Sequence, residues 1–179
     1  MKSVGEVMAI GRGFEEAFQK ALRMIDDRVV GFDPYCELSS AQNYEKELRN
    51  PTDRRIFILA AAMKTKTFTI DELYDMTRID KWFLYKFKNI IDHCDILESK
   101  YRLFKPSQLE QVDNELKQSI KLDKSILLEC KKLGFSDKQI AMYVNSTELE
   151  VRMIRKNFKI LPSIKRIDTV AGKIEFTFY

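Results

Sequence analysis

The first residues that could do chemistry are three charges set among apolar neighbours at the start of the chain. Met1-Lys-Ser-Val-Gly-Glu-Val-Met-Ala-Ile-Gly-Arg12 places Lys2, Glu6 and Arg12 between Met1, Val4, Val7, Met8 and Ile10. The apolar residues call for burial, and Gly5 and Gly11 bracket a short strand or tight turn. Such a segment cannot satisfy itself alone, so it belongs at the wall of a site or an interface. Two readings stand: three surface charges on a terminus, or groups at the wall of such a site.

A second constellation spans Phe135 to Lys156. Ile140-Ala141, Asn145, Val151 and Ile154 have the core spacing of a helix-turn-helix. Ala141 permits close helix contact, and Asn145 can adopt the left-handed turn conformation. The second helix carries Arg152, Arg155 and Lys156, the raw material of a DNA-reading helix. Against that, Glu148 and Glu150 stand near its start, where they favour the helix dipole and repel phosphate.

Other reactive types are sparse. His93 is the single histidine and stands beside Cys94 without further ligands at metal-binding spacing. Cys36, Cys94 and Cys130 are odd in number and widely spaced, which suits buried thiols in a reducing cytosol better than a disulfide framework. Asp26-Asp27 and Asp71-Glu72 read as solvated or capping groups. There is no phosphate-cradling glycine loop or dinucleotide fingerprint, and no nucleophile with base and orienter. We expect no catalytic, cofactor-binding or metal-binding residue in this chain.

The elements that must position these groups are helices. Phe14, Ala17, Phe18, Ala21, Leu22 and Ile25 recur at three and four after Gly13, a permissible N-cap. Asp26 to Ser40 reads as a linker. Asn50-Pro51-Thr52-Asp53 predicts a helix start, followed by an Ile56, Leu59, Ala60, Met63 stripe. Thr69 with Glu72 and Ser107 with Glu110 predict capping boxes, the second before Val112 and Leu116. Asp80 caps a helix with a long apolar face of Phe83, Phe87, Ile90, Ile91, Cys94 and Leu97, beside Trp82. Gly134 marks a helix C-terminus, Ser136 with Gln139 caps a short helix, and a last helix runs through Leu149, Val151 and Ile154. Only Ile174 to Tyr179 alternates like a strand. The fold class is all-α, a compact bundle of short amphipathic helices.

Composition agrees. A chain of 179 residues with 45% hydrophobic content can build one core of ordinary size. Charge is high at 32% but balanced to +4, which permits nucleic-acid binding without requiring it. No apolar run reaches the roughly 20 residues that span a bilayer. The N-terminus lacks the pattern of a signal peptide.

The opening residues, continuing through Phe14-Glu-Glu-Ala-Phe-Gln-Lys-Ala-Leu-Arg23, closely resemble the segment that closes the first ATP-grasp unit of carbamoyl phosphate synthetases. The resemblance recurs at Asp53-Arg-Arg-Ile-Phe57, Thr77-Arg-Ile-Asp-Lys-Trp-Phe-Leu84, Leu133-Gly-Phe-Ser-Asp-Lys-Gln-Ile-Ala141 and Lys165-Arg-Ile-Asp-Thr169. The wording is nearest the animal-type multifunctional members that start pyrimidine synthesis. The resemblance implies an ATP-grasp (α/β) remnant at 1–26, a helical oligomerisation domain at 27–164, and at 165–179 the start of a connection to the second synthetase half. In that family the Phe135–Lys156 pattern is a packing element.

The resemblance also implies roles. Met1 and Glu6 match positions lining the tunnel through which carbamate passes between phosphorylation sites, where a carboxylate can bond water or position the intermediate. ATP and magnesium or manganese belong to parts of the intact ligase outside this chain, which alone is expected to be inactive. The implied partners are the rest of the synthetase chain, the glutaminase unit and further copies of this chain, with no nucleic acid and no membrane, in the cytoplasm. Trp82 and Phe83 are the candidates for self-association, with core burial expected of at least one. Gly172-Lys-Ile-Glu-Phe-Thr-Phe-Tyr179 departs from the family, which normally continues with an acidic residue and an aromatic. That departure, with Met1 at an internal family position, is explained equally by a fragment, a truncated gene model or an excised domain.

Overall fold

The computed structural model describes residues 5–26, 28–34, 44–101 and 122–163. Among these residues the elements are helices: α1 (Phe14–Ile25), α2 (Tyr44–Arg49), α3 (Arg55–Lys64), α4 (Ile70–Thr77), α5 (Lys81–Tyr101), α6 (Lys124–Lys132), α7 (Asp137–Val144) and α8 (Glu148–Asn157). Met1, Cys36, the Ser107 and Glu110 pair with Val112 and Leu116, the 165–169 motif and the alternating tail lie outside the described residues.

α5 is the spine. At 21 residues it is long enough to pack against α1, α3, α4 and α7. Its buried face is Leu84, Phe87, Ile90, Ile91, Cys94 and Leu97, so Leu84 rather than Phe83 opens the apolar stripe. Asp80 starts the helix as expected, its carboxylate accepting from the Trp82 amide at 2.8 Å.

α3 differs from its expected single stripe. Ile58 through Met63 are all buried, because α3 is enclosed between α2 and α5. A helix apolar all round is a core helix. It also begins later than its Asn50 signal. Residues 50–54 are not helical: the Thr52 amide donates to the Asn50 carbonyl at 2.9 Å, 53–54 form a turn, and Arg54 takes the N-cap position. Asn50 instead follows α2, a helix of six residues too short to show periodicity in the sequence.

The caps that define α4, α7 and α8 are in place. Thr69 and Glu72 exchange both bonds of a capping box, and Thr147 and Glu150 form a second one. Ser136 accepts from the Gln139 amide at 2.9 Å, but the Gln139 side chain turns away to Gln19. Gly134 closes α6 with φ +88°, a left-handed conformation that glycine adopts without cost.

α1 docks by a mixed face. Glu15, Gln19 and Leu22 are buried while Ile25 is exposed. The following segment does not behave as a free linker through residue 34: Val29 and Phe32 join the core.

Candidate interaction surface

An aromatic cluster joins α1 to α5. The Phe14 ring stacks on Phe18 at 5.4 Å and meets Phe83, Phe87 and Trp82 edge-on at 5.1, 5.5 and 5.6 Å. Phe18 and Phe87 lie 4.8 Å apart, and Phe32 stacks on Phe87 at 4.9 Å. Such edge and offset contacts add to the apolar area that the rings bury. The cluster runs from the core outward and ends at the surface.

Trp82 and Phe83 form that outer end. They are 53% and 40% exposed, so neither ring is buried, contrary to the expectation that at least one would be. The cause is helical phase: with Leu84 and Phe87 inward, positions 82 and 83 fall at the rim. Trp82 is held edge-on by Phe83 at 4.9 Å, and Lys86 Nζ lies 5.3 Å over its ring. Tyr85 is exposed beside them.

Polar groups fix this face. Glu15 Oε1 accepts from Asn89 Nδ2 at 3.0 Å and lies 3.3 Å from Lys86 Nζ. Burial alone would raise the Glu15 carboxyl, but these partners outweigh it and hold it below its usual value. One helical turn on, Gln19 Nε2 donates to the Leu133 carbonyl at 2.8 Å. Its Oε1 accepts from Gln139 Nε2 at 3.0 Å. Arg23 Nη1 donates to the Gly134 carbonyl at 2.8 Å. Glu15, Gln19 and Arg23 are spaced four apart, so one polar row anchors α1 to α5 and to the α6–α7 turn. Periodicity of apolar residues does not reveal such a row; the four-residue spacing of long polar side chains could have.

The helix-turn-helix geometry is present, with Asn145 left-handed at φ 54°, and Ala141 and Val151 buried. Its two arginines are committed internally, while Lys156 is exposed. Arg155 grips Asp137 with Nε and Nη2 at 3.0–3.2 Å, and Lys131 Nζ reaches the same carboxylate at 2.9 Å. Arg152 donates to Glu148 at 2.5 Å. A recognition helix whose arginines neutralise its own fold has little left for phosphate. This pair of helices is a packing element.

The remaining candidates are ordinary. Glu6 is exposed, as are Val7, Met8 and Ile10 around it, Met8 by 82%. His93 is half-buried, its Nδ1 2.9 Å from the Asn89 carbonyl and its Nε2 3.6 Å from Glu129. Cys94 and Cys130 are buried, and burial pushes the Cys130 thiol up to about 12. Among the described residues no group of three or more His, Cys, Asp and Glu could hold a metal, and no helix is long and apolar enough to cross a membrane.

Among the described residues, helices with a fixed internal polar frame and an exposed aromatic rim define a helix-packing module. The chain belongs to the oligomerisation domain family of the carbamoyl-phosphate synthetase large chain, whose family model matches residues 6–112 and 99–159. It is 52% identical over 173 residues to the multifunctional protein CAD of Squalus acanthias, covering 97% of this chain and 7% of that protein. It is 47% identical to the mitochondrial arginine-specific carbamoyl phosphate synthase large chain of Neurospora crassa, covering 97% and 13% respectively. The multifunctional protein pyr1-3 of Dictyostelium discoideum is also 47% identical, with 97% and 7% covered. The chain therefore spans only a small part of the curated relatives it matches.

Proposed function

We propose that this chain is the spacer and docking block of a carbamoyl phosphate synthetase. In this reading the parent makes carbamoyl phosphate from bicarbonate, glutamine or ammonia, and two ATP. Residues 1–26 close the first ATP-grasp unit, 27–164 form the oligomerisation domain and 165–179 begin the connection to the second half. ATP and magnesium or manganese are bound elsewhere in the parent. The partners are the rest of the synthetase chain, the glutaminase unit and a second copy of this chain. We place the parent in the cytoplasm on the family resemblance alone, one relative being mitochondrial.

The observation that carries self-association is the pair of rings at the N-terminal end of α5. Trp82 and Phe83 are exposed yet immobilised by Phe14 and Lys86. Pre-ordered aromatic side chains lose little entropy on docking and are favoured at interface centres.

Met1 and Glu6 are assigned to the tunnel by their match to the family. The exposure of Val7, Met8 and Ile10 supports a covering surface for that segment in the parent. The test is Glu6→Ala in the full-length synthetase, measuring carbamoyl phosphate formed against ATP hydrolysed. The reading expects the two to become uncoupled. Normal coupling at normal rates would remove the tunnel assignment, and saturable ATP hydrolysis by the purified chain alone would remove the spacer assignment.

A further inference from the structure

The segment running into α1 and the segment leaving α8 are tied to each other. Arg12 Nη2 donates to Ser163 Oγ at 2.7 Å across 151 positions. The incoming side is fastened to α1: the Arg12 amide donates to Glu16 Oε2 at 2.8 Å, and Lys20 Nζ donates to the Ile10 carbonyl at 3.0 Å while pairing with Glu16 at 2.6 Å. The outgoing side is fastened by Arg155, whose Nη1 donates to the Ile160 carbonyl at 3.0 Å.

Both fastenings lead to one turn. α1 rests on residues 133–134 through Gln19 and Arg23, and Arg155 is anchored on Asp137. The closeness at this turn is steric as well as polar: a Cβ at Gly134 would lie 2.7 Å from the Glu16 Cα. The Arg12–Ser163 bond therefore closes a ring whose other links are helices and partly buried polar contacts. An exposed bond between two loose chains loses most of its value to entropy. Between two ends already held, that cost is small.

We infer that Arg12 is a positioning residue that clamps the incoming segment, which bears Glu6, to the outgoing segment and so fixes the placement of polypeptide on either side of the unit. This rests on the reading above, in which those flanks are the two synthetase halves and Glu6 lines the passage between them. Loss of the clamp lets the intermediate escape, so ATP is consumed without product.

The experiment compares Arg12→Gln, Ser163→Ala, the double variant and Glu6→Ala in the full-length synthetase, reading carbamoyl phosphate formed per ATP hydrolysed. Arg12→Gln and Ser163→Ala each lower the ratio about threefold, the scale of one net hydrogen bond. The double variant falls no further than Arg12→Gln alone, because both changes remove the same bond. Arg12→Lys, which keeps a cationic donor, recovers part of the ratio. Should Arg12→Gln fail to fold, the exposed Ser163→Ala decides alone. An unchanged ratio in Ser163→Ala, or losses that add in the double variant, overturn the clamp. A normal ratio in Glu6→Ala with a lowered ratio in Arg12→Gln overturns the tunnel assignment and leaves the clamp standing.

Discussion

Asp137 holds three helices together through a single carboxylate that receives Lys131 from α6 and Arg155 from α8. Burial by itself would raise its proton affinity, but the hydrogen bonds from Arg155 and Lys131 outweigh burial and lower it. A carboxyl lowered on folding stabilises the fold above its unfolded value of roughly 4, and that contribution fades as pH falls through the lower folded value. Asp137→Asn strands the two cations in a largely buried site and should cost about 3 kcal/mol near neutral pH. Urea unfolding at pH 7 and at pH 3 checks the sign, since the gap to the unsubstituted chain should narrow in acid. Gly134 is a second point where one atom matters. Gly134→Ala meets both the positive φ and the Glu16 backbone, and should lower stability by about 2–4 kcal/mol in the same assay.

At the scale of elements, the caps set where helices begin. Thr69 is exposed, and its side chain accepts from the Glu72 amide at 3.3 Å while Glu72 Oε2 accepts from the Thr69 amide at 2.7 Å. Thr69→Ala should therefore cost only about 1 kcal/mol, visible as a small drop in thermal midpoint with no loss of helix content by circular dichroism. This box was legible because its residues are adjacent in sequence and its bonds are local. So was the apolar face of α5 from Phe87 to Leu97, where the periodicity is long enough to fix the phase. At the first turn the phase was ambiguous, and Phe83 and Leu84 exchanged places. The Asn50 signal failed because residues 50–54 are not helical, and Asn50 stands four residues ahead of Arg54, the residue at the N-cap of α3. The polar row of α1 was illegible because two of the partners of Gln19, Leu133 and Gln139, lie more than 110 positions away. The arginines of α8 were legible as cations but not as partners of Asp137, for the same reason.

On the scale of the whole molecule, the polar groups of the described interior hold helices to one another and to the segment that follows α1. Asp33 accepts from the Tyr143 hydroxyl at 2.5 Å, and Lys64 pairs with Asp95 and Glu98 at 3.0 and 3.1 Å. What faces outward at the α1–α5 rim is aromatic. In the proposed function this rim binds a second copy of the chain. Sedimentation of the purified chain over a range of concentrations is the test, with Trp82→Ser/Phe83→Ser as the comparison. A concentration-dependent species of at least twice the 21.1 kDa chain mass is expected. The variant should remain folded by circular dichroism and sediment as a monomer. A chain that is monomeric at every concentration, or a variant that associates as strongly as the original, would contradict it.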